Sequence, residues 1–408
     1  MKKTAVAVAV AASALGMSQF AAADFVKDSK LSLDLRNYYF NQGTDEFNGA
    51  DEIKGGQWGQ AFMLNYKSGF TAGTVGFGVD LFGAAAYKLA DHGDQQTGML
   101  FERYSVDEAA DRLNKGGATL KARVGKTTAY LGSLRPVTPV LVSNDARMLP
   151  QLFEGAMLTN QDVAGLTLTA AHLTKVSLRD EDQWIDNRDE FGGEFSLLGA
   201  DYKVMDGLTA QYYFGQLHNT YKQHFAGLKY SAAVGAGKLG ADLRYFNTSE
   251  DGDGNGRANP RNDNKLWSAL VNYSIAGHTF GFGYQDLSGD TGFGQLSNSN
   301  YLISERMIGS GLMARPDENV MLVSYGFDFG TVGVKGLSAS VIHQQGDYDL
   351  AAAKDRTEKE TDLVIGYTIP EGQFKGLGAR LMHGMYSGDD NADIDQTRFI
   401  VNYSIPLM

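Results

Sequence analysis

The segment LSLDLR at 31–36 puts Leu31, Leu33 and Leu35 on one side of an extended chain and Ser32, Asp34 and Arg36 on the other. TLKARV at 119–124, KLGADLRY at 238–245 and GLGARL at 376–381 repeat the arrangement. Successive side chains of a strand point to opposite faces, so each segment carries one apolar face and one polar or basic face. The pattern recurs about eighteen times from residue 29 to the last residue, with turn residues between. That constrains the fold to an all-β transmembrane antiparallel barrel, with lipid on the apolar face and water inside.

Composition agrees with an exported barrel. Lys2 and Lys3, the apolar run Ala5 to Leu15 and the small-residue site Ala21-Ala22-Ala23 make residues 1–23 a signal peptide, cleaved before Asp24. Losing its two lysines takes the net charge from −12 to −14. Beyond it no run of 18 apolar residues occurs, which excludes a membrane-spanning helix. Mean hydropathy is −0.26, the average of a polar interior, polar loops and a lipid face. The 50 glycines suit tight turns, and the 20 Tyr and 22 Phe suit the aromatic girdles of a barrel. Cysteine is absent, as suits passage through an oxidising compartment. No linker divides residues 24–408, so they read as one domain. An acidic chain lacks the basic face that nucleic-acid binding needs.

The connections between strands come in two lengths. Short ones fall at Ser68–Ala72, Gln161–Asp162, Met205–Asp206, Ala233–Gly235, Ala276–Gly277 and Glu371–Lys375. Long ones fall at 41–56, 90–116, 132–150, 177–190, 249–263, 305–318, 347–357 and 388–393. They largely alternate, which assigns the short set to the periplasm and the long set to the cell exterior. Two strand assignments stand out: 117–131 is read as one strand, and 297–304 is the weakest of the eighteen. FERYSVDEAADRLNKG at 101–116 reads as a short amphipathic helix within a long loop. RFIVNYSIPLM at the end sets Phe399, Val401, Tyr403 and Ile405 on one face of a closing strand.

Several segments together resemble the OprD-type porins, outer-membrane channels of Gram-negative bacteria that pass small, often carboxylate-bearing solutes. DSKLSLDLRNYYFN at 28–41 resembles that family's opening strand, and SGFTAGTVGFGVDLFG at 68–83 its second hairpin and third strand. LGSLRPVTPVLVSNDARMLPQLFEGAML at 131–158 resembles its third-loop segment and is the most specific match. SGDTGF at 288–293, KGLGARLMHG at 375–384 and the closing RFIVNYSIPL also fit. The resemblance implies an 18-stranded barrel with a folded-in third loop that narrows the pore. The stretch QLSNSNYLISERMIGSGLMARPDEN at 295–319 departs from the family pattern, so the resemblance assigns no particular solute.

Strand parity also predicts what lines the pore. Arg36, Lys121, Arg123, Lys229, Arg244, Arg380 and Arg398 alternate with apolar neighbours. A cation at the lipid midplane costs about 2–4 kcal/mol, so all seven should face inward. Files of Arg and Lys favour anions, and the planar Arg fork suits a carboxylate. The resemblance implies that such a ladder guides carboxylates past the constriction. An alternative role is to brace the wall by pairing with lumen acids such as Asp34 and Asp242. In the 132–150 segment Pro136, Pro139 and Pro150 stiffen the chain. Ser143, Asn144, Asp145 and Arg147 there bring donors, an acceptor and both charges to the constriction. With acidic loops outside, this predicts selection for amphoteric solutes as much as for simple anions.

Other motif matches fail their context. GAGKLG at 235–240 precedes a strand, not the helix a dinucleotide site needs, and GKT at 125–127 lacks the upstream glycine of a phosphate loop. DGDGNG at 251–256 resembles the start of a calcium loop, but its twelfth position is Asn262 and no helices flank it. No catalytic or metal motif occurs. The leading reading is a porin for passive, selective uptake, with no cofactor and no catalysis. Its partners are a small solute, outer-membrane lipid and lipopolysaccharide, and a homotrimer is the assembly to test. The rival pore is an oligosaccharide channel with lumen aromatics such as Tyr213. From other classes come a barrel-based hydrolase and a plugged structural barrel.

Overall fold

A computed structural model describes residues 25–408 except 49–51, 94–99, 105–107, 192, 253–261, 297–300, 305, 309–312 and 351–352. The expected signal peptide at 1–23 and most of the DGDGNG segment therefore lie outside the described residues. Eighteen strands form the wall. They are β1 (Lys30–Thr44), β2 (Ile53–Lys67), β3 (Gly76–Gly93), β4 (Arg112–Val124), β5 (Thr127–Leu134) and β6 (Leu152–Asn160). β7 (Leu166–Ser177), β8 (Phe195–Met205), β9 (Leu208–Leu217), β10 (Tyr221–Val234), β11 (Gly237–Glu250) and β12 (Asn264–Ile275) follow. β13 (His278–Gly289), β14 (Glu318–Asp328), β15 (Leu337–Leu350), β16 (Ala353–Thr368), β17 (Gly378–Gly388) and β18 (Asn391–Pro406) complete it. Each strand pairs antiparallel with the next, and β1 pairs with β18 from Ser32↔Pro406 to Thr44↔Ile394, which closes the sheet.

The expected count of eighteen holds, but through two compensating differences. The 117–131 segment contains a hairpin: β4 ends at Val124 and β5 begins at Thr127. Gly125 takes φ +58 there, a left-handed conformation that glycine adopts without strain. In turn, Tyr301–Ser304 form no strand and belong to a loop inside the barrel. The long connections expected at 347–357 and 388–393 are tight hairpins, because β15 runs to Leu350 and β18 begins at Asn391. The helix expected within 101–116 is absent among the described residues. Arg103 bridges Ala109 instead, and β4 starts at Arg112. A five-residue helix sits at Asn187–Phe191.

Parity decides the two faces. Leu120, Leu131 and Leu198 are each about 60% exposed on the outside, so only lipid can cover this surface. Trp58 and Tyr66 share the outer face of β2, near its loop end and its turn end. Eight residues at ~3.4 Å each, tilted as barrel strands are, set the two rings about 20 Å apart along the barrel axis, near the height of the apolar band of such barrels. Tyr202, Tyr230, Tyr273, Tyr367 and Tyr403 stand near the turn ends of their strands and continue the lower girdle.

The interior is filled by loops, and the packing explains which ones enter. The third loop, L3 (135–151), buries Val140 and Leu141 against Phe195, Leu217 and Tyr221 of the wall, and Met148 and Leu149 against Tyr38 and Phe40. The second loop adds Leu100 and Phe101 beside Met148. The seventh, L7 (290–317), buries Leu296 and Leu302 near Phe225, Phe246 and Leu266. Gly59 makes room for part of this. A Cβ there would lie 2.8 Å from the Phe101 ring and 3.0 Å from the Met148 methyl. Gly59→Val is expected to overpack this contact at a cost of about 1–3 kcal/mol. Single-channel recording should then show a larger, noisier pore, and limited proteolysis should cut the second and third loops faster. A trace and digest like those of the parent would contradict this packing.

Candidate functional site: the loop-narrowed lumen

L3 is self-supporting. Val137–Thr138 pair with Leu141–Val142 in a two-rung ladder, and Thr138 Oγ1 donates to the Leu141 carbonyl at 3.1 Å. Ser143 Oγ donates to the Gln151 carbonyl at 2.5 Å, and Asn144 Oδ1 accepts from the Ala146 amide at 2.9 Å. Ser143 and Asn144 thus shape the loop. Asp145 instead faces the wall, where Arg36 holds its carboxylate by two bonds of 2.9 Å. The same guanidinium donates to the Arg147 carbonyl at 2.6 Å. Arg147 lies over Phe40 at 5.3 Å. Burial, followed by the nearby charges of Arg179 and Arg398, pushes its pKa below the ordinary arginine value. Arg36, Arg147, Arg179 and Arg398 thus gather positive charge around this part of L3.

L7 is held by a row of wall carboxylates and amides. Glu358, Glu360 and Asp362 follow each other on the inward face of β16, two residues apart. They accept from the L7 amides of Met313 at 3.0 Å, Ile308 at 2.8 Å and Met307 at 3.2 Å respectively. Gln285 of β13 donates to Ser304 Oγ at 2.9 Å and to the Met313 carbonyl at 3.1 Å. Gln344 of β15 donates to the Ser304 carbonyl at 3.0 Å. Arg315 bonds Glu358 at 3.0 Å. The bonds to the Met307, Ile308 and Met313 amides and to the Ser304 and Met313 carbonyls satisfy backbone groups that a loop inside a barrel would otherwise leave unpaired.

The seven cations expected inside separate into two sets. Arg36 clamps L3. Arg244 pairs with Asp242 at 2.7 Å, donates to the Tyr301 carbonyl at 2.6 Å and lies 4.0 Å over the Tyr301 ring. Arg398 is 7% exposed; it donates to Gln396 at 2.6 Å and to the Met307 carbonyl of L7. Lys121 is buried, pairs with Asp80 at 2.5 Å and donates to the Ser68 carbonyl at 2.8 Å. These four brace wall and loops. Arg123, Lys229 and Arg380 have no carboxylate partner among the described residues. Arg123 lies 4.1 Å over Phe70, Lys229 lies 5.3 Å from the Tyr301 ring, and Arg123 and Arg380 are exposed.

Parity alone missed several lumen groups. The inward carboxylates of TEKETD at 357–362 carry the alternation that would have found them. Arg135 begins a loop, where no parity applies. Tyr213, the candidate for a sugar slide, is 3% exposed and donates its hydroxyl to Asp201, so it presents no ring to a solute.

The family profile described as outer membrane porin, OprD family, matches residues 23–407. The chain is similar to Porin D of Pseudomonas aeruginosa, 29% identical over all of this chain and 99% of that one. It is similar to the porin-like protein GalP of Pseudomonas putida, 30% identical over 96% and 95% of the two chains. Among solved structures, OccK8 (OprE) of P. aeruginosa is 36% identical, with a TM-score of 0.83 over 94% of this chain and all of that one. OpdK of P. aeruginosa, solved with vanillate, is 30% identical, with a TM-score of 0.85 over the same shares. The two Pseudomonas sequence relatives carry porin names, and nothing in the comparisons supports a homotrimer.

The loop clamps make a direct expectation. Each charge-assisted hydrogen bond contributes about 1.5–3 kcal/mol, so Arg36→Ala should unlatch L3. The measurable result is a larger open-channel current with added gating steps, at unchanged heat-modifiable mobility of the folded barrel. Arg36→Lys restores the charge but not the two-point grip, and should fall between. A parent-like current from Arg36→Ala would show that apolar packing alone seats the loop.

Proposed function

The chain belongs to the OprD family of outer-membrane porins, substrate-selective channels, and we propose that it passes small carboxylates and amino acids passively along its inward cations. The observation that carries this reading is that Arg123, Lys229 and Arg380 stand in the lumen without a carboxylate partner among the described residues. Cations already paired with wall acids cannot offer a carboxylate more than long-range attraction, whereas these three can exchange water for solute oxygens. Stepwise contacts of this kind hold a solute weakly enough to let it leave. Arg36, Lys121, Arg244 and Arg398 set the positive potential and the shape of the path. Ser143, Asn144, Asp145 and Arg147 contribute the narrow rim. The vanillate in OpdK is an aromatic carboxylate, which supports the substrate class. We further propose that residues 1–23 are a cleaved signal peptide and that the mature chain starts at Asp24.

The test is bilayer current under a salt gradient, followed by addition of benzoate, glucuronate or a neutral oligosaccharide. Arg123→Ala and Arg380→Ala are expected to move the reversal potential toward cations and to shorten benzoate block. Their stationary current in potassium chloride should change little, since neither residue clamps a loop. Block by the oligosaccharide alone would make this a sugar channel instead.

A further inference from the structure

Under L3, on its turn side, lies a cavity of 440 Å³ lined by groups of β1 to β6 and by the start of the loop. Its volume falls in the range of small-ligand sites. Arg135 is exposed to it and lies 4.3 Å over the Phe82 ring. One NH2 donates to Asn65 Oδ1 at 2.9 Å, and no carboxylate pairs with this guanidinium among the described residues. Asn65 in turn donates to Asp34 Oδ2 at 2.7 Å. Asp34 also accepts from Ser404, yet no cation pairs with it among the described residues. Within the cavity Arg135 and Asp34, neither in an ion pair among the described residues, are bridged by the Asn65 amide; Lys67 and the Lys121-paired Asp80 also line it. Tyr130 and Met157 supply apolar lining beside them.

Among the wall acids, Asp80 and Asp242 take a direct cationic partner, whereas Asp34 takes only the Asn65 amide and the Ser404 hydroxyl among the described residues. Two hydrogen bonds through a planar amide hold the charged ends of Arg135 and Asp34 on the order of 7 Å apart, by the usual bond lengths. A molecule whose carboxylate and ammonium are separated by a single carbon matches that gap in length. The guanidinium retains donors able to grip both oxygens of a carboxylate, and Asp34 keeps lone pairs for an ammonium. We propose that Arg135, Asn65 and Asp34 form a binding site for the two charged ends of an α-amino acid, with its apolar side chain against Tyr130 and Met157. The site lies past the L3 rim and receives solute that the cations above have delivered. It rests on the carboxylate-channel reading and narrows it to zwitterions with apolar side chains.

The experiment uses the full mature protein in planar bilayers with three matched blockers: phenylalanine, 3-phenylpropionate and phenethylamine. Phenylalanine should block at about tenfold lower concentration than either single-charge analogue. Arg135→Gln should bring phenylalanine down to the level of phenethylamine, and Asp34→Asn to the level of 3-phenylpropionate. Asp34→Asn keeps the shape of the side chain. Arg135→Lys keeps the charge and should retain part of the effect. Equal block by all three compounds would overturn the site. So would variants that weaken all three alike while changing the current in potassium chloride, since that marks a structural role. The broader reading fails separately, if 3-phenylpropionate block does not respond to Arg123→Ala or Arg380→Ala.

Discussion

Closure of the hydrogen-bond ladder between β1 and β18 is the constraint on which everything else in the molecule depends. In lipid no water can satisfy a free strand edge, so a sheet that crosses the membrane must meet itself. The pairing from Ser32↔Pro406 to Thr44↔Ile394 achieves this. Closure then divides every strand into an outer and an inner row. The outer row needs only to be apolar and capped by aromatic girdles. Within the membrane the inner row becomes the place where charge can reside, and its residues hold the loops that enter the barrel.

Holding loops and meeting solute compete for the same side chains. A barrel of eighteen strands encloses more space than its inward side chains fill, and L3 and L7 occupy part of it. A loop inside brings backbone amides and carbonyls that must be bonded. The wall meets this need with charged groups: Glu358, Glu360 and Asp362 accept from L7 amides, while Arg36, Arg244 and Arg398 donate to loop carbonyls. The result divides labour by chemistry rather than by position. Arg36, Arg244 and Arg398 hold loop backbone, whereas Arg123 and Lys229 lie against aromatic rings and Arg380 is exposed.

The legible and illegible parts of the site differ for a physical reason. Inward orientation of the seven wall cations follows from period-two alternation, which survives without knowledge of partners. Pairing does not follow, because Lys121 meets Asp80 on a neighbouring strand and Arg36 meets Asp145 more than a hundred residues away. The hairpin at Gly125 was hidden for a related reason: TLKARVGKTTAYL alternates on both sides of a two-residue turn, so the signal looks continuous. The 301–304 segment deceived in the opposite sense. Tyr301 and Leu302 are apolar because they pack inside the lumen, not because they face lipid.

What the sequence by itself determined is the class of fold, the membrane it serves and the face on which each strand residue lies. Those properties depend on local alternation, turn residues and the energy of charge in hydrocarbon. Tertiary structure alone decided which loops enter the barrel, which charges they consume and which remain. It also decided that Asp34, Asn65 and Arg135, from β1, β2 and L3, line one cavity. Such contacts arise only when the sheet closes and brings distant segments around a shared space, and no local pattern encodes them.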